Sequence, residues 1–98
     1  MSVDELRRKI DAIDEQIVRL LTERAETAVI VGEEKRRLGI PVQNVERENQ
    51  VLERAKKLNK GPGSDKAVQT VYRSIIDMCL EVQARSGPMS RDGKPPQA

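Results

Sequence analysis

The apolar positions in the first third of the chain fall at helical spacing. Val3, Leu6, Ile10, Ile13, Ile17 and Leu20 alternate steps of three and four residues, the rhythm of a helix-packing seam. The seam continues through Ala28, Val31 and Leu38, and two cations, Arg24 and Lys35, intrude on it. Ser2 and Glu5 have the Ser-x-x-Glu spacing of a capping box, which marks a helix start. Gly39 stands one residue past Leu38 and Pro41 follows, which marks a stop. Residues 2–38 are therefore predicted to form one helix, with no proline and a single glycine, Gly32, inside it. A kink at Gly32 is the alternative, but one glycine costs only about 1 kcal/mol and does not force a break. About 36 residues at 1.5 Å rise span roughly 54 Å, whereas a compact domain of this size has a radius of gyration of about 13 Å. The roughly 60 residues that remain cannot cover such a helix. The length thus predicts an oligomer, most simply a dimer, in which long helices pack on each other.

Two further helices follow. Residues 39–43 form a short connection, and Asn44 caps a second helix whose first turn carries Glu46 and Glu48, where the helix dipole favours acids. Val45, Val51 or Leu52, Ala55 and Leu58 make its apolar stripe, and Glu48 lies on that stripe. The helix is predicted to end near Asn59, because Lys60-Gly61-Pro62-Gly63 cannot continue it. Ser64 caps a third helix, with a broad apolar face of Val68, Val71, Tyr72, Ile75, Ile76, Cys79 and Val82 and an end around Arg85. Gln83 falls four residues after Cys79 on the same face. Residues 1–85 form the predicted helical domain. Residues 86–98, with two glycines, three prolines and only Met89 as a core former, read as a disordered tail or the stub of a linker.

Composition narrows the fold and excludes several chemistries. Aromatics are 1% of the chain, Tyr72 alone, so the core is built from Leu, Ile, Val and Ala. That suits helices packed on helices, an all-α fold, better than a β-sandwich. Charged residues reach 35% but the net charge is only +2, with no block of five like charges, so there is no nucleic-acid footprint. With no histidine and one cysteine, Cys79, the chain holds no intrachain disulfide, no ordinary zinc site and no Ser-His-Asp or Cys-His arrangement. The N-terminus lacks a signal-peptide core and no run approaches a membrane span, so a cytoplasmic protein without membrane partners is expected.

The candidate chemistry lies in polar residues that stand where apolar ones belong. Arg24 and Lys35 are eleven residues apart, about three turns, and so project from nearly the same face. Facing a bundle interior, two cations need anions. Glu48 and other carboxylates can supply some of that charge, and a small dianionic ligand the rest, since bundle interiors can hold such sites. Arg47, at the start of the second helix, can join them beside the exposed backbone N–H groups. The ordinary alternatives stay open: Arg24 and Lys35 reaching to the surface or into internal salt bridges, Glu48 serving the helix dipole or pairing with a neighbouring cation, Gln83 exposed near a helix end, Cys79 a small core residue, Arg7 a solvated charge.

These residues also carry a resemblance. Leu6-Arg7-Arg8-Lys9-Ile10-Asp11-Ala12-Ile13-Asp14 and Leu20-Leu21-Thr22-Glu23-Arg24 resemble the opening of the all-helical, type II chorismate mutases. Val31-Gly32-Glu33-Glu34-Lys35 and Ile40-Pro41-Val42-Gln43-Asn44-Val45-Glu46-Arg47-Glu48 continue the likeness in order and spacing, which covers residues 3 to about 85. The resemblance implies an intertwined homodimer of three-helix protomers that converts chorismate to prephenate without metal or cofactor. It implies that Arg24 and Arg47, with Arg7 from the partner subunit, serve the substrate carboxylates. Lys35 and Gln83 are implied to donate to the ether oxygen, and Glu48 to accept from the ring hydroxyl. Two positions depart from the family pattern: Asn44 where an aspartate often stands, and Cys79 where a small hydroxyl residue lines the pocket, a thiol being the weaker donor. Two other readings accompany it, an isochorismate-pyruvate lyase on the same fold and a non-catalytic helical dimer module.

Overall fold

A computed structural model of the chain describes residues 1–85, so the predicted tail or linker stub, 86–98, lies outside the described residues. The capping box forms as the sequence predicts. The Ser2 hydroxyl accepts from the Glu5 N–H and Glu5 Oε1 accepts from the Ser2 N–H, both at 3.0 Å. The Ser2 backbone donor, and then its side chain, hold the Glu5 carboxyl below the usual carboxylate range. From this start helix α1 runs Val3–Leu38, 36 residues, without a break at Gly32. Gly39 ends it at φ 72°, a left-handed conformation that a Cβ would strain. Its N–H donates to the Arg36 carbonyl at 3.1 Å and the Ile40 N–H to the Lys35 carbonyl at 2.9 Å, the paired closure of a Schellman end.

Helix α2 spans Val45–Leu58 and helix α3 Asp65–Arg85. Asn44 caps α2 by accepting from the Arg47 N–H at 3.0 Å, and Ser64 caps α3 by accepting from the Ala67 N–H at 3.0 Å. Between them the Asn59 side-chain amide donates to the Gly63 carbonyl and to Asp65 Oδ1, both at 2.9 Å, which folds the connection tightly. Every described element is thus a helix or a connection between helices, the all-α class the composition predicts. None of these helices is long and apolar enough to cross a membrane.

Helix α3 is the central element and packs against both α1 and α2. Ala28, Ala55, Ile76 and Cys79 make a small buried core where the three helices meet. The Gln69 amide donates to the Leu52 carbonyl at 3.1 Å and ties α3 to α2. Arg36 Nη1 donates to the Gln83 carbonyl at 3.0 Å and ties α1 to α3. Only the C-terminal half of α1 takes part. Every residue from Met1 to Leu20 is exposed, and the predicted seam of Val3, Leu6, Ile10, Ile13, Ile17 and Leu20 stands between 42% and 61% exposed. Val45, Leu58 and Val71, placed on apolar faces by their spacing, are also exposed. The principal extents, 53 × 30 × 19 Å, follow from this shape: a long helix with two shorter ones gathered at one end.

Candidate active site

At that junction the three helices leave a cavity of about 260 Å³. Seven of the eight residues the sequence singles out line it: Arg24 and Lys35 from α1, Arg47 and Glu48 from α2 with its cap Asn44, and Cys79 and Gln83 from α3. The cavity's charged lining is three cations and one carboxylate, which leaves a surplus of two positive charges. Thr27, Ala28, Val31, Val51, Ile76 and Leu80 supply the apolar wall. A small-molecule pocket has this character, mostly apolar with a few converging polar groups.

The polar groups are aimed rather than merely gathered. Arg24 is half-buried, and its Nη1 donates to Cys79 Sγ at 2.9 Å. Cys79 thus serves as a buried acceptor that fixes the guanidinium, which keeps four of its five N–H donors for other partners. Lys35, in the last turn of α1, donates from Nζ to the Val42 carbonyl at 2.6 Å. That bond anchors the ammonium against the α1–α2 connection and leaves two N–H donors. Arg47 is exposed at the mouth, where its backbone N–H closes the Asn44 cap.

Two buried polar groups of the cavity lining are incomplete. Glu48 Oε2 and Gln83 Oε1 have no hydrogen-bond partner among the described residues, although both side chains belong to residues less than 10% exposed. A buried polar atom without a partner is costly, and one facing a cavity marks where a ligand completes the set. The burial of Gln83 overturns the reading of an exposed helix-end amide, whereas Glu48 does pair with a cation, Arg73, through its other oxygen.

Gly32 explains how Gln83 comes to be there. A Cβ built on Gly32 would lie 3.2 Å from Gln83 Cβ and Cγ and 3.3 Å from its Cα. The missing side chain therefore lets α1 and α3 approach closely at the level of the Gln83 amide. Gly32→Ala should raise the intrinsic helix propensity of α1 but push Gln83 outward by a few tenths of an ångström. We expect roughly a tenfold fall in kcat/KM with little change in thermal midpoint, checked by steady-state kinetics beside a melting curve.

Arg7 is the residue the structure does not bring to the cavity. It lies on the exposed end of α1, 74% exposed, with its Nη1 3.8 Å from Asp4 Oδ1. Conversely, Arg73 joins the site although no apolar-pattern argument finds it. Its Nη2 donates to Glu48 Oε1 at 3.0 Å. The Glu48 carboxylate, and then Asp77, hold the Arg73 guanidinium above its ordinary range.

Comparison with known proteins gives this geometry a family. The family described as chorismate mutase type II matches residues 6–84. The chorismate mutase of Methanocaldococcus jannaschii is 42% identical over 74 residues, which cover 74% of this chain and 75% of that protein. The bifunctional chorismate mutase/prephenate dehydratase of Aquifex aeolicus is 41% identical over 85 residues, 83% of this chain but 24% of that protein. The chain thus spans about a quarter of the length of the bifunctional relatives it matches. Among solved structures, chorismate mutase (form II) from Thermus thermophilus superposes with a TM-score of 0.83 at 28% identity, covering 85% of this chain and 94% of that one. On the family match and these likenesses together, the chain belongs to the type II chorismate mutase family.

Proposed function

We propose that the cavity binds chorismate as a dianion and rearranges it to prephenate, acting in a homodimer in the cytoplasm. The observation that carries this reading is the cavity's surplus of two positive charges beside the unpartnered buried Oε2 of Glu48. A substrate with two carboxylates and a hydroxyl answers both features. The reaction is an intramolecular pericyclic rearrangement: the ether C–O bond breaks as a C–C bond forms within one cyclic shift of electron pairs, and no proton need move. The protein then has two tasks. It must hold the flexible substrate in its folded, reactive conformer, and it must stabilise the negative charge that grows on the ether oxygen.

The residues divide between these tasks. Arg24 and Arg47 bind carboxylates, for which the planar guanidinium fork is suited. Cys79 contributes by holding Arg24. Glu48 Oε2 accepts from the ring hydroxyl, which gives that buried oxygen the partner it lacks. Lys35 and Gln83 donate to the ether oxygen. For Gln83 this uses the Nε2 end of the amide, and rotation about its last torsion exchanges the two ends at the cavity wall.

The exposed seam supports the dimer. Six apolar side chains along roughly 25 Å of helix form a continuous stripe in water, and a second copy of the same helix is its natural cover. Arg7 stands within that stripe, seventeen residues from Arg24, roughly 25 Å away along α1. An antiparallel partner helix would carry Arg7 to the other subunit's cavity and add a further carboxylate ligand there.

The direct test is turnover by the purified chain, followed as loss of chorismate ultraviolet absorbance with the product identified. Prephenate is the expected product. Salicylate and pyruvate from isochorismate would replace the reading with a lyase, and binding without turnover of either substrate would replace it with a non-catalytic module.

A further inference from the structure

The Glu48 carboxylate is the one anion of the cavity lining, and its two oxygens have different surroundings. Oε2 is buried and has no partner among the described residues. Oε1 accepts from Arg73 Nη2 at 3.0 Å. Arg73 comes from α3, does not line the cavity, and is 40% exposed, against 9% for the Glu48 side chain. The guanidinium therefore reaches Glu48 from behind, on the solvent side. It is itself fixed from a third point: Asp77, one turn further along α3, accepts from Arg73 Nε at 3.1 Å and from Nη2 at 2.9 Å. One nitrogen, Nη2, thus bridges the two carboxylates.

We propose that Arg73 is a positioning residue for Glu48, clamped by Asp77, which occupies one carboxylate oxygen so that the other faces the substrate. The assignment rests on the mutase reading of the cavity. Without Arg73 the carboxylate has two free oxygens on a rotatable stem. Its nearby donors are then the cavity's own cations, which would draw it inward and compete with the substrate carboxylates. Arg73 answers the carboxylate from outside and so keeps Arg24, Lys35 and Arg47 available. The ring hydroxyl changes little in charge during the rearrangement, so its contact with Glu48 is made about equally in ground and transition states. A misdirected Glu48 therefore weakens binding more than it slows the chemical step.

The test is a double-mutant cycle on the full chain. Arg73→Gln is expected to raise KM roughly tenfold with kcat within about threefold of wild type. Arg73→Lys, whose ammonium reaches a carboxylate but lacks the fork, should recover part of the loss. In a Glu48→Gln background, adding Arg73→Gln should cost no more than about twofold, because the group it positions is gone. A helix-stabilising role alone would instead lower the melting midpoint and multiply the two losses independently. That multiplication, or an Arg73→Gln variant with wild-type KM, overturns the assignment while an active wild type preserves the mutase reading. A wild type inert to chorismate removes both.

Discussion

Lys35→Ala is expected to lower kcat by about 100- to 1000-fold with a much smaller change in KM. The reason lies in when its contact matters. The ether oxygen of the bound substrate is nearly neutral and becomes negative only as the C–O bond breaks. A donor aimed at it therefore binds the transition state better than the substrate, which is the condition for acceleration. Lys35 is prepared for this. It is half-buried in the last turn of α1, and the Val42 carbonyl fixes its ammonium at 2.6 Å before any ligand arrives. The two remaining N–H donors need little reorganisation at the moment of reaction. The half-buried setting also strengthens the interaction relative to water. Steady-state kinetics with circular dichroism of the variant decides the matter. A folded Lys35→Ala enzyme with wild-type kcat would remove the residue from the ether oxygen, and one with only a raised KM would reassign it to a carboxylate.

The architecture was legible because its signals are local. A capping box, a glycine stop and two side-chain caps each work within four residues of chain, and all four form where the spacing places them. The cavity was partly legible for a different reason. Arg24, Lys35 and Glu48 break apolar patterns, and a charge on an apolar face calls for a partner wherever that face packs. What stayed hidden depends on contacts between helices. Arg73 and Asp77, four residues apart, read as a surface ion pair like many others, and nothing near them points to Glu48, twenty-five residues earlier. Gly32 read as a candidate break in α1, and its use as the close-approach point for Gln83 exists only once α3 lies across it. Arg36 was hidden likewise, since its bond to the Gln83 carbonyl spans two helices. The exposed half of α1 shows the converse. Its pattern is correct for packing, yet no other segment among the described residues covers it.

Mixing two inactive variants should restore activity if Arg7 works across the subunit boundary. Alone, Arg7→Ala is expected to lose roughly 100-fold or more in kcat/KM, because a substrate carboxylate is left without its charged partner. Lys35→Ala is expected to be nearly inactive for the reason given above. In a mixed dimer the first subunit has an intact cavity and the second an intact Arg7. One of the two sites then holds every group, and the other lacks both. With random assortment half of the dimers are mixed and each has one working site, so the mixture should reach about a quarter of wild-type activity. The two parents, assayed separately, stay near their floors. The outcome separates the readings sharply, since no arrangement confined to one chain can produce it. If Arg7 served its own cavity, each site of a mixed dimer would lack one group and mixing would change nothing. A monomer would behave the same way. The exposed seam makes restoration the expected result: an antiparallel partner would cover Leu6, Ile10, Ile13 and Ile17 and, in the same arrangement, bring Arg7 toward the other subunit's Arg24.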